Sequence, residues 1–99
     1  MTRRRVKVAT GIELDVIDEG SGVNGVAFLL HGFPESSHSW RHQVAPLVDA
    51  GWRVLIPDQR GYAHSSAPKD ISAYRGDILA DDVIALLDDI NADDAVIIG

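Results

Sequence analysis

Two short motifs contain most of the side chains that could take part in chemistry. HGFPE occupies residues 31–35 and is followed by Ser39, Trp40 and Arg41, while PDQRGY occupies residues 57–62. Each motif follows a short apolar run, VAFLL at 26–30 and VLI at 54–56. Such runs are typical of central strands in a parallel sheet, which helices cover on both faces. Ligands bind where such strands end, so the first motif is predicted to lie at a binding edge.

The first motif has the composition of a loop that presents backbone N–H groups. Gly32 has no Cβ and lets the backbone approach a ligand closely. Pro34 fixes its own φ and so restricts the path of the loop. Backbone amides held in this way can stabilise an oxygen that becomes negatively charged during a reaction.

His31 could be drawn with a nearby serine (Ser36, Ser37 or Ser39) and Asp58 as a catalytic triad. A triad is defined by geometry, and nothing in the spacing forces these groups together. We favour a structural role in which His31 hydrogen-bonds the loop and holds its shape. Asp58 and Arg60 are likewise interpreted as loop-ordering groups that form an ion pair or bind nearby backbone.

His38 and His42 lie four residues apart and could share a helix face. Zinc needs three or four ligands, and no third ligand is suitably spaced, so no metal site is predicted. Trp40 begins an apolar stripe, and its periodicity favours the core over a stacking platform.

The segments before the first motif predict an antiparallel hairpin. Apolar and polar residues alternate at 5–9 and again at 12–16, where Glu13 and Asp15 are on the polar side, and a turn at 10–11 separates the two runs. A Gly-rich loop at 19–25 follows.

Two helices are predicted between the later strands. Apolar residues recur at helical spacing from Trp40 to Val48; Pro46 either kinks this helix or opens a second helical stretch, and Gly51 ends it. The next helix has Ser72 as its N-cap and Asn91 at its end. Its apolar stripe is Leu79, Val83, Leu86, Leu87 and Ile90. Its acidic face, predicted to be solvated, is Asp77, Asp81, Asp82, Asp88 and Asp89.

A buried strand is predicted at 95–98. The order hairpin, β, α, β, α, β predicts right-handed crossovers and a mostly parallel sheet in an α/β fold. Residues 1–99 show no domain boundary and are interpreted as one portion of a single domain.

Composition excludes several classes of function. The net charge of −6 would repel nucleic acid, and no apolar run is long enough to span a membrane. The chain has no cysteine, which excludes disulfides and thiolate metal sites and is compatible with a reducing cytoplasm. Oligomeric state leaves no signal in the sequence.

Together the two motifs, at this spacing, resemble the α/β-hydrolase superfamily. The runs FPES at 33–36 and DQRGY at 58–62 are most similar to the epoxide hydrolases. The resemblance extends from about Val6 to Gly99. It departs at Ala63, where family members usually have Gly, and Ala resists positive φ.

The resemblance implies roles for the first motif. The backbone N–H of Phe33 would be an oxyanion-hole donor, and the Phe33 ring could line the pocket. His31, Gly32, Pro34 and Trp40 would shape the loop and line the pocket. No cofactor or metal is implied.

The resemblance also implies a reaction. An Asp nucleophile would open an epoxide, a small hydrophobic substrate, to an ester that a His-activated water then hydrolyses to a diol. Tyrosines of a cap would protonate the epoxide oxygen. A haloalkane or haloacid dehalogenase, and then a serine esterase, are the alternatives within the same fold.

We expect the natural chain to continue past Gly99. Two helices cannot cover about five strands, and a terminal apolar strand would be an exposed edge. By resemblance Gly99 is the first glycine of the nucleophile elbow, and the nucleophile would lie two residues further on. A different class of hypothesis is that the 99 residues alone are catalytically inactive, because the nucleophile would lie outside them.

Overall fold

The computed structural model of the chain describes residues 3–9, 11–31, 37–61, 65–67 and 76–99. These residues form one sheet of five strands: β1 (Arg3–Ala9), β2 (Ile12–Glu19), β3 (Gly25–Leu29), β4 (Trp52–Pro57) and β5 (Val96–Ile98). They also form a turn of 3₁₀ helix (Ser37–Trp40) and two α-helices, α1 (Val44–Asp49) and α2 (Gly76–Asp89).

The strand order across the sheet is β1-β2-β4-β3-β5. β2 is antiparallel to both β1 and β4, whereas β3 is parallel to both β4 and β5. α1 lies between β3 and β4 in the chain, and α2 between β4 and β5, as crossovers between parallel strands require. The predicted α/β fold with an antiparallel first hairpin is therefore confirmed.

Side chains of opposite parity form a core on each face of the sheet. Phe28 and Leu55 pack with Leu86 of α2. Their neighbours along the strands, Leu29 and Ile56, pack with Val44 of α1 on the other face. This is the period-2 pattern of strands covered on both sides, and it explains why the runs at 26–30 and 54–56 are apolar throughout.

β2 departs from the predicted alternation, since Leu14, Asp15, Val16 and Ile17 are all buried. Leu14 and Val16 pack into the core on the α2 face of the sheet, and Ile17 packs into the core on the α1 face. Asp15 tolerates burial because Arg3 of β1 contacts its carboxylate at 2.7 Å. Polarity at position 15 therefore indicates an ion pair.

α1 corrects both predictions for Pro46. The helix begins at Val44, so Pro46 occupies its third position and neither kinks it nor opens a second helix. The first-turn N–H groups of a helix have no partner within it, so proline is tolerated there. Gly51 ends the helix as predicted, with φ +89° and its N–H bonded to the carbonyl of Val48.

α2 also corrects the view that its acidic face is wholly solvated, because Asp82 is buried. Asn91 follows the helix at φ 55°, which agrees with its predicted role as the terminating residue. The predicted N-cap, Ser72, lies outside the described residues.

β5 was predicted to be buried, yet Val96 and Ile97 are each about half exposed, at 48% and 49%. Among the described residues β5 pairs with β3 and forms an edge of the sheet. Its continuous apolar run is typical of a strand that is covered on both faces.

Candidate functional site

The carboxyl ends of three parallel strands meet at one edge of the sheet. Leu29 is opposite Ile98, and the N–H of Leu30 donates to the carbonyl of Ile98 at 2.8 Å. On the other side of β3, Phe28 is opposite Leu55 of β4. Leu30 and Ile98 are therefore adjacent at this end of the sheet. The segments that leave β3, β4 and β5 therefore begin side by side.

His31, the first residue of the HGFPE motif, is buried and held by Gln59. The backbone N–H of Gln59 donates to Nε2 of His31 at 3.0 Å, and the side-chain amide of Gln59 donates to the His31 carbonyl at 2.7 Å. Because Nε2 accepts a hydrogen bond, the proton of the neutral ring is on Nδ1. These two bonds fit the structural role that we favoured for His31 over membership of a triad, and that role stays a prediction.

Asp58 is the most deeply buried carboxylate at this edge, with 1% of its surface exposed. Its Oδ1 accepts the backbone N–H of Ser37 at 2.7 Å, and its Oδ2 lies 3.5 Å from a guanidinium nitrogen of Arg3. Arg3 also donates to the hydroxyl of Ser37 at 3.3 Å. A charge-assisted bond to backbone fits the loop-ordering role predicted for Asp58.

Two serines tie the segment after β4 to β2. The hydroxyl of Ser65 donates to the carbonyl of Asp58 and accepts the N–H of Asp15, the latter at 2.8 Å. Ser66 accepts the N–H of Glu13 at its hydroxyl and donates its own N–H to the Glu13 carbonyl, both at 2.9 Å. The Ser65 bonds link the backbone carbonyl of Asp58 to β2, while the Asp58 carboxylate holds Ser37.

Arg60 and Asp82 form a buried, bidentate ion pair. Nε and one terminal nitrogen of Arg60 each donate to a different oxygen of Asp82 at 2.7 Å. The two side chains are 5% and 8% exposed. This pair attaches the end of the DQR sequence to α2, and it accounts for the burial of Asp82.

The residues predicted for the site divide into two groups. Phe33, Gly32 and Pro34 lie outside the described residues, so their roles remain predictions. Trp40 is half-buried and packs beside Val44 and Leu47 on the α1 face, in agreement with the core position that its periodicity predicted. Its buried Nε1 has no hydrogen-bond partner among the described residues.

The role of Gln59 was missed by sequence reasoning. Glutamine is common on surfaces, and its position within DQRGY carries no periodic signal. The parallel register of β3 and β4 is the one signal that could have found it, because this register brings residues just past both strand ends together.

Clusters of metal-ligating side chains and long apolar helices were sought in the described part of the chain. It contains no group of three or more His, Asp or Glu side chains that could hold a metal ion. His38 and His42 are both exposed. No helix in the same residues is long and apolar enough to cross a membrane.

Two of the cavities lie against the helices. A surface concavity of about 400 Å³ runs along α1, where Glu19, Val44 and Val48 contribute to its lining. A crevice of about 10 Å³ lies between the sheet and α2, with Leu30, Gln59 and Asp82 in its wall. The smaller one touches the strand ends and cannot hold a substrate.

The sequence matches known proteins over almost its whole length. Residues 28–99 match the family described as alpha/beta hydrolase fold. Epoxide hydrolase A of Mycobacterium tuberculosis is 47% identical over 95 residues, which cover 96% of this chain and 30% of that protein. The chain thus spans 30% of the length of this curated relative and 31% of the length of another.

Solved structures agree with this match. The crystal structure of epoxide hydrolase A from Mycobacterium thermoresistibile superposes with a TM-score of 0.91 at 46% identity, covering 97% of this chain and 30% of that one. A bromoperoxidase from Bacillus anthracis superposes with a TM-score of 0.87 at 33% identity, covering 99% of this chain and 34% of that one. The same portion of the fold therefore occurs in enzymes with different names.

Proposed function

We propose that the natural protein containing this chain, which belongs to the α/β-hydrolase fold family, hydrolyses a small hydrophobic epoxide to a diol. That protein is called the whole protein below. The observation that carries the proposal is the 47% identity over 95 residues to a protein named epoxide hydrolase. The geometry supports it, because the segments that begin at His31 and at Gly99 leave the sheet from adjacent strands.

The proposed reaction has two covalent steps. In the first, a carboxylate oxygen of an Asp nucleophile attacks an epoxide carbon, the ring C–O bond breaks, and the epoxide oxygen takes a proton from an acid. In the second, a histidine removes a proton from water, and the resulting hydroxide adds to the carbonyl carbon of the ester. Collapse of this adduct releases the diol and regenerates the carboxylate, and the proton that the histidine took from water is returned to the acid that was deprotonated in the first step.

The part of the reaction assigned to this chain is stabilisation of the second step. The ester carbonyl oxygen becomes negatively charged when water adds, and the proposed donor to it is the backbone N–H of Phe33. Gly32 and Pro34 would set the path of the loop, and His31 anchors its start through Gln59. No cofactor takes part in this scheme.

Three assays on the whole protein separate this proposal from its alternatives. We expect diol formation from a small aromatic epoxide, with no halide released from a haloalkane and no turnover of a short-chain ester. Halide release would replace the proposal with a dehalogenase, and ester turnover without epoxide opening would replace it with a serine esterase.

The 99 residues alone are proposed to be inactive, since the chemistry needs a nucleophile that this scheme assigns to the elbow following Gly99. Purified chain 1–99 should form no diol above the buffer rate. The whole protein at equal concentration is the positive control. Diol formation by the isolated chain would show that the nucleophile lies within these residues.

A further inference from the structure

Gln59 connects two strands at the point where their hydrogen-bond ladder has stopped. β3 ends at Leu29 and β4 at Pro57. Two residues beyond each end, Gln59 bonds both the ring and the carbonyl of His31, at 3.0 and 2.7 Å. These bonds continue the connection between the two strands after their regular pairing has ended.

Asp58, the preceding residue, holds Ser37, which is the first described residue after the HGFPE motif. Its carboxylate accepts the N–H of Ser37 at 2.7 Å. Two consecutive residues of the segment after β4 therefore fix His31 and Ser37, which flank residues 32–36. The backbone around Asp58 is itself tied to β2 through Ser65.

The two bonds from Gln59 respond differently to substitution. The bond from its backbone N–H to His31 survives any side-chain change except proline. The bond from its side-chain amide to the His31 carbonyl needs a donor at that place. The partner of this amide is an uncharged backbone carbonyl, so removing the amide leaves no buried charge unpaired.

We propose that Gln59 is a positioning residue for the oxyanion donor. By fixing the His31 carbonyl, its side-chain amide sets the direction in which the backbone leaves β3 toward Phe33, two residues later. This inference rests on the proposed function, because it concerns the amide of Phe33 in the hydrolysis of the ester. Gln59 acts through His31 and does not contact the substrate.

A displaced donor slows ester hydrolysis and leaves ester formation unchanged. Misplacement by about 1 Å can reduce a rate on the order of 100-fold, so we expect Gln59→Met to lower kcat roughly 10- to 100-fold. The parameter kcat/KM reports the steps up to formation of the ester, and it should therefore stay near the wild-type value while KM falls with kcat. The ester should accumulate on the protein.

The experiment compares Gln59→Met and Gln59→Glu with Gln43→Met in the whole protein. Met has a similar length and no donor, and Glu is isosteric but presents an acceptor to the His31 carbonyl. Gln43 is exposed and makes no side-chain cap bond at the start of α1, so it controls for the loss of a glutamine. Steady-state kinetics with an aromatic epoxide, intact mass after acid quench and thermal unfolding are measured.

The expected result is low kcat with unchanged kcat/KM and a mass increase of one substrate in both Gln59 variants, and wild-type behaviour in Gln43→Met. A proportional fall in kcat and kcat/KM, or kinetics equal to those of Gln43→Met, would overturn the positioning role while leaving epoxide hydrolysis intact. A wild-type protein that forms no diol would overturn the proposed function and this inference with it.

Discussion

Two groups of charged residues stabilise this sheet in different ways. The buried carboxylate group, Asp58 and Asp82, lies at the carboxyl ends of the parallel strands and binds a backbone amide and Arg60 out of contact with water. The strand-linking cluster joins Asp18 of β2 to Arg4 of β1 and Arg53 of β4, and Arg4 also reaches Asp89 of α2. Its two arginines are about a third exposed.

The difference is in what each group fixes. Asp58 holds the backbone of Ser37 and Asp82 holds the side chain of Arg60, and neither carboxylate has solvent at hand to replace a lost partner. The side chains of the strand-linking cluster bind one another, and its two arginines are exposed enough for water to replace a lost partner. We therefore expect the first group to respond strongly to mutation and weakly to salt, and the second to respond in the opposite sense.

The largest fall in the free energy of unfolding is expected when Arg60 loses its partner. Asp82→Ala leaves a buried guanidinium without its bidentate partner, so the free energy of unfolding should fall by about 3–5 kcal/mol. The measurement is urea unfolding of the whole protein followed by tryptophan fluorescence. The double variant Arg60→Met, Asp82→Leu should recover most of this loss, because it removes both charges. A double variant as unstable as the single one would mean that the ion pair itself is required.

A smaller effect is expected at Asp58. Asp58→Ala leaves the buried N–H of Ser37 without an acceptor and should reduce the free energy of unfolding by about 1–3 kcal/mol. Asp58→Asn keeps an acceptor oxygen in the same place and should lose less. The same unfolding measurement compares the two variants. Equal losses would show that the charge near Arg3, rather than the bond to Ser37, is the important feature.

The contribution of the strand-linking cluster to the free energy of unfolding should depend on pH. The pKa of the Asp18 carboxyl lies below its ordinary value of 3.8 because it accepts hydrogen bonds from Arg53, against the opposing effect of burial, and from Arg4. Since the folded-state pKa is the lower one, the stability from this carboxylate is present in full above the ordinary value and is lost as the pH falls through the lowered pKa.

Asp18→Asn should therefore reduce stability by on the order of 1 kcal/mol near neutral pH, and this difference should shrink in acid and in high salt. Unfolding curves measured from about pH 7 down to about pH 2 test this pH dependence. Asp81→Asn, on the exposed face of α2, is the control for the change in net charge. A difference that stays constant across the range would contradict the linkage.

The smallest effect is expected for the surface pair Arg5 and Glu13, whose side chains are 45% and 51% exposed. Arg5→Ala should change the free energy of unfolding by no more than about 0.5 kcal/mol, because exposed ion pairs gain little over hydration. Unfolding at low and high salt checks the value. A loss as large as that of Asp18→Asn would erase the distinction between half-buried and exposed pairs.

The elements with a regular pattern were predictable. The hairpin at 3–19 follows from alternation about the turn at Gly11, and α2 from the stripe that includes Val83 and Leu86. Pro46 shows the limit, because its chemistry permits any position in the first turn and local sequence does not fix which one.

The contacts that define the candidate site were less predictable. An aspartate on a helix is usually solvated, so the burial of Asp82 depends on Arg60, which lies 22 residues away along the chain. The same holds for Asp15. The alternation in β2 predicts that it faces solvent, and its burial depends on Arg3, which lies 12 residues away along the chain. Pairings of this kind depend on which strands become neighbours.

The amino-acid sequence by itself determined the fold class, the antiparallel first hairpin and the two motifs at strand ends, because hydrophobic periodicity and turn chemistry are local properties of a chain. Only the tertiary structure decided that Gln59 holds His31, that Asp58 holds Ser37 and that Arg60 meets Asp82. These contacts join residues distant in the chain, and each exists because parallel pairing of β3 with β4 and packing of α2 bring particular backbone positions within hydrogen-bond distance.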